Sequence, residues 1–228
     1  MTAKELGGIM GGRILESYYD YAHVSNLVYE ALDLGFECIQ VFPNMLPKVR
    51  EVLNGRSLEI CAVISYPHGI FLPEQKAFEI GDAIEAGATQ VEFVVHNINV
   101  RSGNWELVRD EFRTCRKAAG GHVLKAILEC EWLTDEMIET VCGLAAEEGI
   151  DRVCTSIGVY TRPDENKNDM LIGVEPEDVR KVKAAVRGKV KVVAQGNIDS
   201  VSKCRELLEA GADYISSEYA ADILRNWE

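Results

Sequence analysis

The stretch TQVEFVVHN (89–97) runs into WELVRDEFRTCRKAAG (105–120), and the pair decides how the chain reads. The first piece is a short, almost continuous apolar run, the mark of a strand buried on both faces. The second is of helix length and amphipathic. The same pairing recurs outward in both directions. Upstream, ECIQVF (37–42) precedes LPKVREVL (46–53), and LEICAVISY (58–66) precedes PEQKAFEIGDAIEAG (73–87). Downstream, HVLKAILEC (122–130) precedes TDEMIETVCGLAAEEG (134–149), and DRVCTSIGV (151–159) precedes EPEDVRKVKAAVRG (175–188). KVKVVAQGN (189–197) then precedes SKCRELLEAG (202–211), and ADYISSEYA (212–220) closes the series. At the start, ILESYYDYA (14–22) is taken as the first strand, ahead of the helix-like SNLVYEALDLG (25–35).

The helices have local reasons. Met137, Ile138, Val141, Leu144 and Ala145 share one face, with Thr134 placed as N-cap. Pro176 stands where a first-turn proline is tolerated, ahead of the stripe Val179, Val182 and Val186. Eight βα units in 228 residues predict an α/β fold, a (β/α)8 TIM barrel forming a single domain over residues 1–228. A doubly wound sheet is the rival, but no G-x-G-x-x-G turn follows the first strand. The polar stretch YTRPDENKNDMLIG within 160–173 is long for a βα connection and is expected to be a lid or a specificity element.

Composition narrows the partners. A net charge of −13 argues against nucleic acid and against an anionic membrane surface, and it leaves room for a locally positive pocket. No apolar run approaches a membrane span, and the N-terminus has no signal-peptide layout. Seven cysteines with no C-x-x-C pair read as reduced thiols at a cytoplasmic address. No cofactor is implied, and the oligomeric state, including a homo-oligomer, stays open.

Alternation along the strands places polar groups where a barrel is usually filled with branched apolar chains. Glu92, Val94 and His96 share one face of their strand; Lys125, Ile127 and Glu129 share one face of the next; Cys154 follows on the sixth. Lone buried charges cost several kcal/mol each unless paired. The bland account is a buried Glu92–Lys125 ion pair, and the functional one is a catalytic constellation. At the ends of the later strands, Gly158, Gly196, Asn197, Ser216 and Ser217 form the small-residue turns expected of a phosphate cradle.

YPHG (66–69), RSGNWELVRDEF (101–112), LKAILE (124–129) and TSIG (155–158) resemble segments of the deoxyribose-phosphate aldolase family, and the likeness runs from about residue 14 to 225. The resemblance implies a (β/α)8 barrel that cleaves a carbon–carbon bond in a small phosphorylated substrate through a lysine imine. The family's imine lysine on the sixth strand falls on Cys154, its partner lysine on Val193, and its strand-four aspartate on Glu92. Its strand-five lysine matches Lys125, its first-strand aspartate matches Asp20, and its strand-four asparagine falls on His96. Three readings follow. The imine has moved to Lys125, with Glu92 or Glu129 as base. Alternatively, Glu92, His96, Lys125 and Cys154 run acid–base chemistry without an imine, as an isomerase, dehydratase or retro-aldolase. In the third, the chain binds a phosphometabolite without turnover. His96, Glu129 and Cys154 have ligand chemistry, but their spacing matches no metal motif, so no metal is assigned.

Overall fold

A parallel strand that is apolar on both faces needs helices on one side and other strands' side chains on the other, and barrel closure supplies both. The computed structural model describes the backbone of residues 1–163 and 169–228, and side chains outside 162–170. The chain opens with α1 (Ala3–Gly7), β1 (Met10–Ile14), α2 (Tyr21–Leu34), β2 (Cys38–Val41), α3 (Leu46–Leu53) and β3 (Glu59–Ile64). It continues with α4 (Pro73–Glu85), β4 (Gln90–Val94), α5 (Asn97–Arg101), α6 (Trp105–Ala119), β5 (Val123–Ile127), α7 (Asp135–Glu147) and β6 (Arg152–Cys154). After β7 (Thr161–Pro163) and β8 (Asp169–Leu171) come α8 (Pro176–Val186), β9 (Lys191–Gln195), α9 (Val201–Glu209), β10 (Tyr214–Ser217) and α10 (Ala220–Arg225). Eight parallel strands close in the order β1-β2-β3-β4-β5-β6-β9-β10, with β10 paired back to β1. This is the expected single-domain TIM barrel.

The first strand is a correction. It spans Met10–Ile14, and residues 14–22, read as strand from their apolar and aromatic content, instead leave the barrel and enter α2. MGGRI escaped notice because two glycines erase the alternation. Gly12 is required there: a Cβ would lie 2.6 Å from the Phe36 ring. Asp20, expected on the first strand, is the N-cap of α2, where its carboxylate accepts the backbone N–H of His23 at 2.8 Å. Thr134 caps α7 as anticipated, by accepting from Met137 at 3.3 Å. The expected lid falls partly outside the described residues; its two described ends pair as antiparallel β7 and β8. Among the described residues no helix is long and apolar enough to cross a membrane.

The apolar residues divide as the alternation predicts. Val91, Phe93, Leu124, Ala126, Val192 and Ala194 face the helices in one large core. Inside the barrel the apolar cluster is small: Val94, Ile127, Cys154, Ile157 and Val193. Below it the interior is polar. Register sets Lys125 beside Glu92 on one side and Arg152 on the other. At the N-terminal end Arg152 pairs with Glu37 at 3.0 Å and lies 3.8 Å over the Tyr214 ring, and Gln90 donates to Glu37 at 2.9 Å. Lys125 completes this floor, its ammonium 3.6 Å from the Cys38 sulfur. Polar closure of the N-terminal face is a stability device in this architecture.

Candidate active site

One layer above the floor, inward residues of β2, β4, β6, β9 and β10 meet around Glu92. Gln40 Nε2 donates to its Oε2 at 2.9 Å and Gln195 Nε2 to its Oε1 at 3.0 Å. The Cys154 thiol reaches the same carboxylate at 3.5 Å. Ser216 closes the ring by donating to Gln40 Oε1 at 2.5 Å. All five side chains are buried. Glu92 and Cys154 therefore share one interior, as the alternation required. Burial first, and then the Glu92 charge, pushes the Cys154 thiol well above the ordinary cysteine range, so it stays a protonated donor rather than a thiolate.

Lys125 lies beneath this ring, and its surroundings differ from the bland account of a direct ion pair. Its ammonium turns to Cys38 and makes no direct ion pair with Glu92. Burial works against its charge, but Cys38, Cys61, Glu92 and Glu37 outweigh burial and hold the ammonium above the usual lysine range. Burial alone favours the free amine and a nearby carboxylate opposes it; here Glu92 and Glu37 weigh on the side of the ammonium. The reciprocal effect appears in Glu37. Burial opposes its ionisation, yet the Lys125 charge and bonds from Arg152 and Gln90 bring it down to about 2.

At the C-terminal end the strand tips take up unusual backbone. Ser65 after β3, Glu129 after β5 and Asn197 after β9 have φ values of 54°, 57° and 51°. Left-handed non-glycine residues are sparsely populated and concentrate where side chains must be re-aimed. Glu129 is held by the Ile157 N–H, which donates to its Oε1 at 2.6 Å. Its Oε2 is buried with no partner among the described residues. Burial pushes its carboxyl up to about 9, helped by the Glu131 charge and opposed by the Ile157 N–H and by Arg13. Burial and the neighbouring Glu131 thus favour the protonated form of Glu129.

Glu129 opens onto a cavity of about 680 Å³ whose wall includes His68, Val94, Arg101, Trp132 and Tyr160. His68 Nδ1 lies 3.1 Å from the Tyr160 hydroxyl, and Trp132 packs edge-on to the same ring. A volume of this size suits a small metabolite. His96 does not line it. The strand ends at Val94, so the alternation does not carry to 96, and the His96 backbone N–H is taken at 3.2 Å by Glu111, itself paired with buried Lys76. Arg13, Tyr160 and Trp132 went unnoticed in the sequence. Arg13 sits on the unrecognised strand, and the two aromatics lie in loops where no periodicity marks them.

The expected phosphate cradle assembles in part. Gly158 and Gly196 meet so closely that a Cβ on Gly158 would sit 2.7 Å from the Gly196 Cα and 2.8 Å from the Asn197 nitrogen. The two serines are used elsewhere. Ser216 belongs to the Glu92 ring, and Ser217 donates to the Ile198 carbonyl and accepts from the Tyr219 N–H at 2.8 Å. Strand alternation is the reason: one serine points inward too deep to reach the mouth, and the other ties the turn. Outside this turn a second recess, of about 690 Å³, is lined by Glu131, Glu175, Asp178, Asp199 and Glu206 with Lys203. Lys203 is already paired with Glu175 at 2.6 Å, so this recess repels anions. Among the described residues no three His, Cys, Asp or Glu side chains gather into a metal-binding group.

Comparison with known proteins agrees with this architecture. Residues 3–196 match the model of the DeoC/LacD family aldolases. A deoxyribose-phosphate aldolase from Geobacillus sp. is 33% identical over 204 residues, covering 89% of this chain and 87% of that one. Deoxyribose-phosphate aldolase 1 of Mesoplasma florum is 31% identical over 207 residues, covering 91% and 90%. A solved deoxyribose phosphate aldolase from Aeropyrum pernix, described as a unique tetramer, superposes with a TM-score of 0.88 at 29% identity, over 99% of this chain and 92% of that one. With its strands closed in family fashion and its polar groups at the C-terminal mouth, this chain belongs to the DeoC/LacD aldolase family of carbon–carbon lyases.

Proposed function

We propose that this chain cleaves or forms a carbon–carbon bond in a small phosphorylated sugar or related carbonyl compound, and that it does so by acid–base chemistry without a lysine imine. One observation carries the reading. Among the described residues, Lys125 is the one lysine in the barrel interior that is buried, and it is sealed under the Glu92 ring as a stabilised ammonium. An ammonium has no lone pair with which to attack a carbonyl. The group that meets the cavity in a useful protonation state is Glu129.

In the retro-aldol direction a base removes the proton of the substrate's β-hydroxyl. The carbon–carbon bond breaks, its electrons move onto the carbonyl oxygen, and the enol formed there is then protonated on carbon by the proton the base took up. Glu129 donates to the carbonyl oxygen as charge develops there and takes the proton back afterwards. The His68–Tyr160 pair at the rim is placed to accept the hydroxyl proton. Glu92, deeper and held by three polar partners, is a positioning group that orders the interior. Arg101 on the cavity wall and the Gly158–Gly196–Asn197 turn receive the phosphate. The seven buried thiols, all unpaired, fit a reducing, cytoplasmic setting.

Borohydride reduction during turnover of a panel of sugar phosphates and short aldehydes tests the proposal. Cleavage with no lysine adduct by mass spectrometry is the expected result. A reduced adduct on any lysine, Lys125 included, overturns it. Lys125→Met adds a second reading. It should lower stability by about 3–5 kcal/mol, because Glu37 and Glu92 lose their compensating charge, while the folded fraction still turns over.

A further inference from the structure

Arg13 is the group in this fold with the least to do. It projects from β1 into the barrel, on the strand opposite β5 in the closed order, and its side chain is fully buried. None of its three guanidinium nitrogens has a hydrogen-bond partner among the described residues. Nη1 approaches a Glu218 oxygen at 3.0 Å without hydrogen-bond alignment. Buried polar groups in native proteins are nearly always bonded, and a buried cation with every donor idle is costly. Such an expense is usual at a binding site, where the ligand supplies the missing acceptors. Two other idle atoms lie at the same end of the barrel: Glu129 Oε2 and Ser65 Oγ, after β5 and β3.

We infer that Arg13 is the receptor for a carboxylate on the substrate, so that the carbonyl fragment handled here is a small 2-oxo acid. The geometry favours a carboxylate over a phosphate. With Nη1 turned to Glu218, the Nε and Nη2 edge remains, two parallel donors that match the two oxygens of a planar carboxylate. A phosphate would bring a third charged oxygen against Glu218. Arg13 is also close enough to act electrostatically on Glu129 and on Tyr66, across the mouth. Arg13 and Glu218 line a small recess of about 20 Å³ apart from the Glu129 cavity, and a carboxylate that opens this recess to sit on Arg13 would carry its neighbouring carbonyl carbon on the mouth side, toward the β5 tip that bears Glu129. The inference rests on the imine-free reading of the same mouth, but its ligand test does not depend on turnover.

Oxalate, pyruvate and inorganic phosphate are titrated into the wild-type chain, Arg13→Lys, Arg13→Met and Glu218→Gln, by calorimetry and thermal shift at low salt. Oxalate and pyruvate should bind the wild type, bind Arg13→Lys at least tenfold more weakly, and lose binding in Arg13→Met. Glu218→Gln, which releases Nη1, should bind oxalate more tightly, and this arm stands even where Arg13→Met fails to fold. No carboxylate binding by the wild type overturns the inference, as does equal affinity in Arg13→Lys. So does a phosphate affinity that falls with the Arg13 variants while oxalate affinity holds. Oxalate binding through Arg13 with no cleavage of any carbonyl substrate would sink the proposed function and leave this assignment standing. Cleavage of sugar phosphates with no carboxylate recognition would do the reverse.

Discussion

At the scale of single residues, this barrel separates two groups that sequence alternation alone makes equivalent. Lys125 and Glu129 are both inward on β5 or just past it, four residues apart. One is locked as an ammonium under a polar ring, and the other is held as a neutral acid at the mouth. Glu129→Gln keeps an acceptor for the Ile157 N–H and removes the titrating proton. Its kcat/KM should fall by about 10²–10⁴, the usual worth of a general acid. The wild type should also show an alkaline limb near pH 9 that the variant lacks. The sign for stability follows from linkage. A carboxyl whose folded pKa lies above its ordinary 4.5 contributes fully below that value and loses its contribution as pH rises towards about 9. Denaturant midpoints across that window should therefore drop less steeply in Glu129→Gln than in the wild type. Equal slopes would show that the buried proton is not there.

At the scale of elements, the turns after β6 and β9 are fitted to each other more tightly than any helix pair demands. Gly158 has φ of 73° and Gly196 of 112°; the Gly196–Asn197 backbone occupies the space a side chain on Gly158 would need, and the Ser156 side chain the space one on Gly196 would need. Gly158→Ala should cost more than the ~1 kcal/mol usual for a left-handed glycine, because its methyl meets backbone rather than a yielding side chain. Urea denaturation measures that cost. The same variant should raise KM for a phosphorylated substrate, since the displaced turn includes Asn197. The elements also show where patterning was legible. Seven of the eight barrel strands stood out because branched residues alternate with polar ones. β1 did not, because Gly11 and Gly12 leave no side chains to alternate, and at Gly12 a Cβ would collide with the Phe36 ring. Missing it hid Arg13 and moved Asp20 from a helix cap into an imagined strand.

At the scale of the molecule, charge is distributed along the barrel axis. The floor joins Glu37, Lys125 and Arg152, the middle holds Glu92 among neutral donors, and the mouth sets Arg13 against Glu129 and Glu218. Glu37 carries the pH dependence of the floor. Its carboxylate, depressed to about 2 from an ordinary 4.5, adds stability above the upper value that disappears as pH falls toward the lower one. Glu37→Gln should flatten the acid limb of the stability profile between those values and weaken the fold at neutral pH, where Lys125 and Arg152 would lose their counter-charge. Thermal melts from pH 2 to 7 decide it; an unchanged acid limb would remove Glu37 from the account.

Strand and helix periodicity, read from the amino acids alone, determined the barrel, its single domain and the inward faces of β4, β5, β6 and β9, because each is a local or repeating property of the chain. Depth inside the barrel, by contrast, was decided only by the tertiary structure. Alternation says that Glu92, Lys125, Glu129 and Cys154 point inward, but it carries no information on which layer each occupies. That depends on strand stagger around the closed sheet, and stagger fixes which charges meet. It is this vertical order that places an ammonium out of reach, an acid at the mouth, and an idle guanidinium across from it.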